Sequence, residues 1–148
     1  MDDISPGSSA ETKTFPGRFE NLAKITDFVI RAARSAGLDQ TAVYAVEMAV
    51  DEACANIIAH AYGGEGKGDI ECTCQIDAGE LIVTLRDHGS PFDPSRVPEP
   101  DVTAPLEERD EGGLGLYLIR KVMDEVHFEF SSDCGNTLTL VKRKETVD

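Results

Sequence analysis

The stretch VEMAVDEACANIIAHAYGG, from Val46 to Gly64, decides how the rest of the chain is read. Four residues make close to one turn, so Glu52 and Asn56 project from one side of one helix, roughly 40° apart. Asp39 is placed to cap this helix, and Gly63-Gly64 to stop it after Tyr62. On a helical wheel Val43, Val46, Val50, Ala53, Cys54 and Ile57 share an apolar face, with Ala45, Ala49, Glu52, Asn56 and His60 on the other side. A face of small residues carrying one acid and one amide suits the wall of a pocket. Hard divalent cations such as Mg2+ take oxygen ligands and keep several waters, so the Asn56 amide oxygen plus substrate phosphates is a sufficient ligand set. Glu52 then accepts a proton from an attacking hydroxyl or orients a water. Glu47 and Asp51 form a second acid pair one turn apart, nearer the apolar stripe, and are rivals for that role. An isolated Glu/Asn pair is more often a plain surface feature, so the flanking sequence has to decide.

Upstream, Leu22, Ile25, Phe28, Val29, Ala32 and Ala33 recur at helical spacing, and Gly37 closes a first helix that starts near Phe19. Thr12 to Phe15 is a candidate edge strand, and residues 1–12, rich in Ser, Gly, Asp and Pro, read as a disordered tail. Downstream, Ile70, Cys72, Cys74 and Ile76 alternate with polar residues, Asp77-Ala78-Gly79-Glu80 turns, and Leu81, Val83 and Leu85 resume the alternation. This predicts an antiparallel hairpin whose second strand delivers Asp87 to its tip. Residues 90–112 hold five prolines and a run of acids, which forbids a regular element and marks a functional loop or lid. A third helix is expected from about Leu114 to Asp124, and a last hairpin over Val126–Phe130 and Thr137–Val141. The elements predict an α+β two-layer sandwich, a mixed, mostly antiparallel sheet covered on one face by three helices.

Within that plan Gly112-Gly113-Leu114-Gly115 stands directly before a helix, where amides are unpaired and glycines let a phosphate approach closely. Asp87, followed by Gly89, is placed to accept a hydrogen bond from an exocyclic amine such as that of adenine, or simply to close an Asp turn. Gly63-Gly64-Glu65-Gly66-Lys67-Gly68 imitates a phosphate loop, but no Ser or Thr follows Lys67 and a helix precedes it, so it reads as a flexible turn. Cys72 and Cys74 read as buried thiols, since zinc pairs are spaced more widely and need further ligands. His60, one turn after Asn56, reads as a packed helix-end residue, and His88 and His127 have no metal or triad spacing.

The 148 residues fit one domain. Fourteen basic against 28 acidic residues give a net charge of -14, which disfavours nucleic acid and anionic lipid and allows a basic protein partner. The N-terminus lacks the charged and apolar regions of a secretory signal, and no apolar run approaches a membrane span, so a soluble cytoplasmic protein is expected.

Taken in order, Glu52-x-x-x-Asn56, Asp87-x-Gly89 and Gly113-x-Gly115 resemble the N-box and two glycine boxes of the GHKL (histidine-kinase-like) ATPase superfamily, over roughly Phe15 to Lys142. The short length, the Asn56–Tyr62 run and Asp87-His-Gly-Ser-Pro-Phe-Asp-Pro94 look most like the anti-sigma-factor serine-protein kinases of bacterial partner switching. The resemblance implies an ATP-binding domain over residues 13–144 that uses ATP and Mg2+, binds a sigma factor, and phosphorylates a serine of an anti-anti-sigma protein. It also admits a homodimer. It implies Glu52 as general base, Asn56 as Mg2+ ligand, Asp87 and Gly89 at the adenine, and Gly113, Leu114 and Gly115 at the phosphates. Thr137 would match the family's terminal Gly-x-Thr near the adenine, and Arg109, upstream of Glu111-Gly112, would be the lid arginine. An ATP-gated binding module of the same fold with little or no transfer is the alternative. A detached histidine-kinase ATPase domain is a third reading, set against by the missing phosphoacceptor-helix region.

Overall fold

The computed structural model describes residues 8–91 and 111–145. Five strands form one sheet: β1 (Ser8–Pro16), β2 (Asp69–Asp77), β3 (Glu80–Asp87), β4 (Glu125–Ser131) and β5 (Gly135–Arg143). Their order is β1-β2-β3-β5-β4, and all four pairings are antiparallel. Three helices, α1 (Leu22–Ser35), α2 (Gln40–Asn56) and α3 (Glu111–Val122), complete the expected sandwich. None of the helices among the described residues is long and apolar enough to cross a membrane.

The periodicities account for these layers. Strand residues alternate sides, so Leu81, Val83 and Leu85 of β3 and Leu138 and Leu140 of β5 are buried toward the helices, and Ile82, Thr84, Arg86, Thr137 and Thr139 take the opposite face. Ile25, Phe28, Val29 and Ala33 of α1 close over that surface together with the apolar stripe of α2 expected from the wheel, every member of which is buried. Each such Leu, Ile or Val contributes roughly 1.5–3 kcal/mol by leaving water. The β2–β3 turn is a two-residue one in which Ala78 (φ 51) and Gly79 (φ 79) are both left-handed, the geometry that matches strand twist.

α2 is capped as expected, the Asp39 carboxylate accepting from the Ala42 N–H at 2.8 Å. The helix does not run unchanged to Tyr62. After Asn56 it widens into a π-helical turn, Ile57–Ala61, sealed by Tyr62 N–H donating to Ile57 O five residues back. Such turns insert one extra residue and are frequent at functional sites.

Three other expectations change. Ordered strand begins at Ser8 rather than after residue 12: β1 pairs with β2 from Ser8↔Asp77 to Pro16↔Asp69. Its outer half is polar and gives no apolar alternation, and main-chain bonding to β2 supplies the order; residues 1–7 lie outside the described residues. α3 starts at Glu111, so Gly112 to Gly115 form its first turn instead of a loop before it. Of the 90–112 segment, 92–110 lie outside the described residues. Gly63–Gly68, read as a flexible turn, is pinned: Gly66 N–H donates to Gly17 O, Gly17 N–H to Gly68 O, and the Glu65 carboxylate accepts from Phe19 N–H at 2.8 Å.

Candidate functional site

β3 ends at Asp87, a residue only 3% exposed. An acceptor buried this deeply must be hydrogen-bonded. Asp87 Oδ1 accepts from Gly89 N–H and from Asn136 Nδ2, both at 2.9 Å, and the same Nδ2 donates to Ser90 O at 2.8 Å. The Asp87–Ser90 turn is also tied to the π turn: Ser90 N–H donates to Ala61 O, and His88 N–H to the Tyr62 hydroxyl, which itself donates to Asp69 O at 2.6 Å. Gly89 lies so close that a Cβ there would sit 2.5 Å from the Ala61 carbonyl. Gly135, at φ 77, turns under the Asp87 carbonyl where no side chain fits. Burial holds the Tyr62 phenol above its ordinary value; the His88 bond opposes this, and the charges of Asp87 and Asp69 add to it.

The second half of the site is the α2–α3 contact. Glu52 and Asn56 are half-buried on the small-residue face of α2. Gly115 is pressed onto them: a Cβ at Gly115 would lie 3.1 Å from Glu52 Cγ and 3.2 Å from Asn56 Nδ2. The first turn of α3 therefore stands beside the acid and the amide. Its leading N–H groups have no partners within the helix, and the dipole is positive there. Such an end accepts an anion without a lysine.

Glu52, Asn56 and Gly115 thus meet at the α2–α3 contact, Asp87 and Gly89 stand at the end of β3, and the π turn that follows Asn56 reaches the second group through Ala61. Gly113 and Leu114 lie in the first turn of α3; the Leu114 side chain and all of Arg109 fall outside the described residues. Thr137 is a correction. It pairs with Arg86 on the sheet face away from the helices, whereas Asn136 faces Asp87 across the ladder. Strand alternation puts the side chain of Asn136, not Thr137, beside Asp87. The rivals Glu47 and Asp51 are also placed elsewhere, against α1. His60 and His88 are exposed, and His127 pairs with Glu125.

Among the described residues no group of three His, Cys, Asp or Glu is placed to hold a metal ion. A cation here would draw on Asn56 and on ligand oxygens, as the chemistry of Mg2+ permits. Cys54, Cys72 and Cys74 are buried free thiols and Cys134 is exposed. The Cys54 thiol is pushed up by burial first, then by the charges of Asp51 and Asp87; Cys72 is pushed up by its bond with Cys74 and by burial.

A profile of the histidine kinase-like ATPase domain matches residues 15–142, from β1 to the end of β5. The chain belongs to that family. Within it the chain is 33% identical to the serine-protein kinase RsbW of Halalkalibacterium halodurans over 141 residues, covering 91% of this chain and 85% of that protein. RsbW of Bacillus cereus is 32% identical over 139 residues, with 90% and 85% covered. RsbW of Bacillus velezensis is 34% identical over 109 residues, covering 70% and 67%. These identities place the chain among the serine-protein kinases of the family. The nucleotide-free catalytic domain of the histidine kinase ThkA superposes with a TM-score of 0.52 at 15% identity, over 90% of this chain and 97% of that domain, and so shares the fold.

Proposed function

We propose that this kinase of the histidine kinase-like ATPase family binds Mg-ATP between α2 and α3, holds a sigma factor inactive, and phosphorylates a serine of an anti-anti-sigma protein. The observation that carries the reading is the seat of Gly115 on Glu52 and Asn56, which sets a helix N-terminus beside a carboxylate and an amide oxygen.

The roles follow from the chemistry of each group. Asp87 has Oδ1 committed to Gly89 and Asn136, which fixes the carboxylate plane and turns its acceptor capacity toward an adenine amine. Asn56 would hold Mg2+ through its amide oxygen, and the ion, when bound, would neutralise charge on the phosphates. The N–H groups of Gly113, Leu114 and Gly115 receive phosphate oxygens. Glu52 accepts the proton of the partner serine as its oxygen approaches the γ-phosphorus in line. The net charge of -14 repels the nucleotide, so the helix end and the cation must offset it locally.

The deciding experiment is a transfer assay with purified candidate anti-anti-sigma proteins, with and without Mg2+. Phosphoserine on a partner supports the reading. Release of a bound sigma factor by nucleotide with no phosphoserine would instead make the chain an ATP-gated binding module.

A further inference from the structure

Among the described residues four large apolar side chains are exposed, and three of them, Phe19 (45%), Tyr44 (60%) and Met48 (47%), stand around one groove between the start of α1 and the outer face of α2. The groove encloses about 690 Å³. Glu20, Glu47 and Asp51 rim it, and among the described residues no Lys or Arg lines it. Glu20 is paired with Arg18, whereas Glu47 and Asp51, one turn apart on α2, carry no ion pair among the described residues. Apolar surface gathered in a concave strip and edged by charge of one sign marks an interaction face rather than scattered surface residues. None of this belongs to the nucleotide site. Asp51 precedes Glu52, and successive helical residues point about 100° apart, so the two acids look out on different sides of α2.

We propose that this groove docks a basic amphipathic helix of a partner protein. A groove between two parallel ridges of side chains accepts a helix that lays its apolar stripe on Phe19, Tyr44 and Met48. Lys or Arg flanking that stripe then meet Glu47 and Asp51, which suppresses acidic partners and speeds encounter. The proposal goes beyond the Mg-ATP reading and needs no nucleotide.

The test uses the full chain without nucleotide and a fluorescein-labelled Leu/Lys amphipathic peptide of about 18 residues, or five turns. The matching Leu/Glu peptide is the charge control. Tyr44→Ser with Met48→Ser, and separately Glu47→Lys with Asp51→Lys, should each weaken Leu/Lys binding about tenfold or more. Glu129→Lys with Asp133→Lys makes the same charge change on exposed residues at the far end of the sheet and should weaken it less than about threefold. Equal loss from both charge-reversed proteins, or unchanged binding by Tyr44→Ser/Met48→Ser, would overturn the proposal. So would a self-associated chain in sedimentation that Tyr44→Ser/Met48→Ser converts to monomer, because a second copy would then own the face.

Discussion

Asn136 lies directly across the β3–β5 ladder from Asp87, and its Nδ2 donates to both Asp87 Oδ1 and Ser90 O. One amide therefore orients the buried carboxylate and closes the turn behind it. Replacing Asn136 by Ala leaves Asp87 Oδ1 with one donor fewer, a loss of about 1–2 kcal/mol that weakens ATP binding by roughly five- to thirtyfold. Thr137→Ala, on the other sheet face, should leave the affinity within about twofold. Calorimetric titration of both variants checks the contrast; a larger loss at Thr137 would reverse the assignment.

Gly115→Ala asks whether the α2–α3 contact sets the chemistry. The added methyl pushes Glu52 and Asn56 by tenths of an ångström, while Ala favours the helix by up to about 1 kcal/mol. The thermal midpoint should hold or rise as single-turnover transfer falls by about ten- to a hundredfold. A parallel fall in both would mean a packing defect only.

Glu52→Gln keeps the side-chain shape and removes the base. Transfer should drop by about 10²–10⁴ with ATP affinity retained. Robust transfer by this variant would assign the proton to another group.

The thiols supply a pH dependence. The folded chain keeps the Cys54 proton at pH values where the unfolded chain, with the ordinary value of 9.0, has released it. The unfolded state then binds fewer protons, so stability is level below pH 9 and declines above it by about 1.4 kcal/mol per unit for that group. Urea midpoints at pH 8, 9 and 10 in reducing buffer should fall more steeply for the natural chain than for Cys54→Ala. In the native protein at pH 8, Cys134 alone of the four cysteines should react rapidly with a thiol reagent.

The sequence carried what depends on periodicity and failed where small offsets decide. Val43 to Ile57 announce the buried stripe of α2, and the alternation from Ile70 to Leu85 announces a hairpin, because burial repeats along an element. A Gly-x-Thr pattern points to Thr137, yet a one-residue step along a strand reverses its face, and the register with β3 fixes that step. The glycines at 112–115 resemble breakers by propensity alone. They are helical, and at Gly115 the missing side chain lets α3 seat on Glu52 and Asn56 without the few tenths of an ångström of displacement that a methyl would require. Nothing in Ile57 to Ala61 marks a π turn, since its cause is the tertiary bonding of Ala61 and Tyr62 to the Asp87 turn.

That π turn makes the count of residues between Asn56 and Tyr62 a ruler. Adding one more residue to Ile57–Ala61, whose turn already holds the extra residue of a π bulge, would rotate every side chain beyond it by about 100° relative to the sheet. Tyr62 would swing off His88, and Ala61 off Ser90. Length here is as specific as chemistry, and a swap of side chains in this segment should be tolerated where an inserted residue is not.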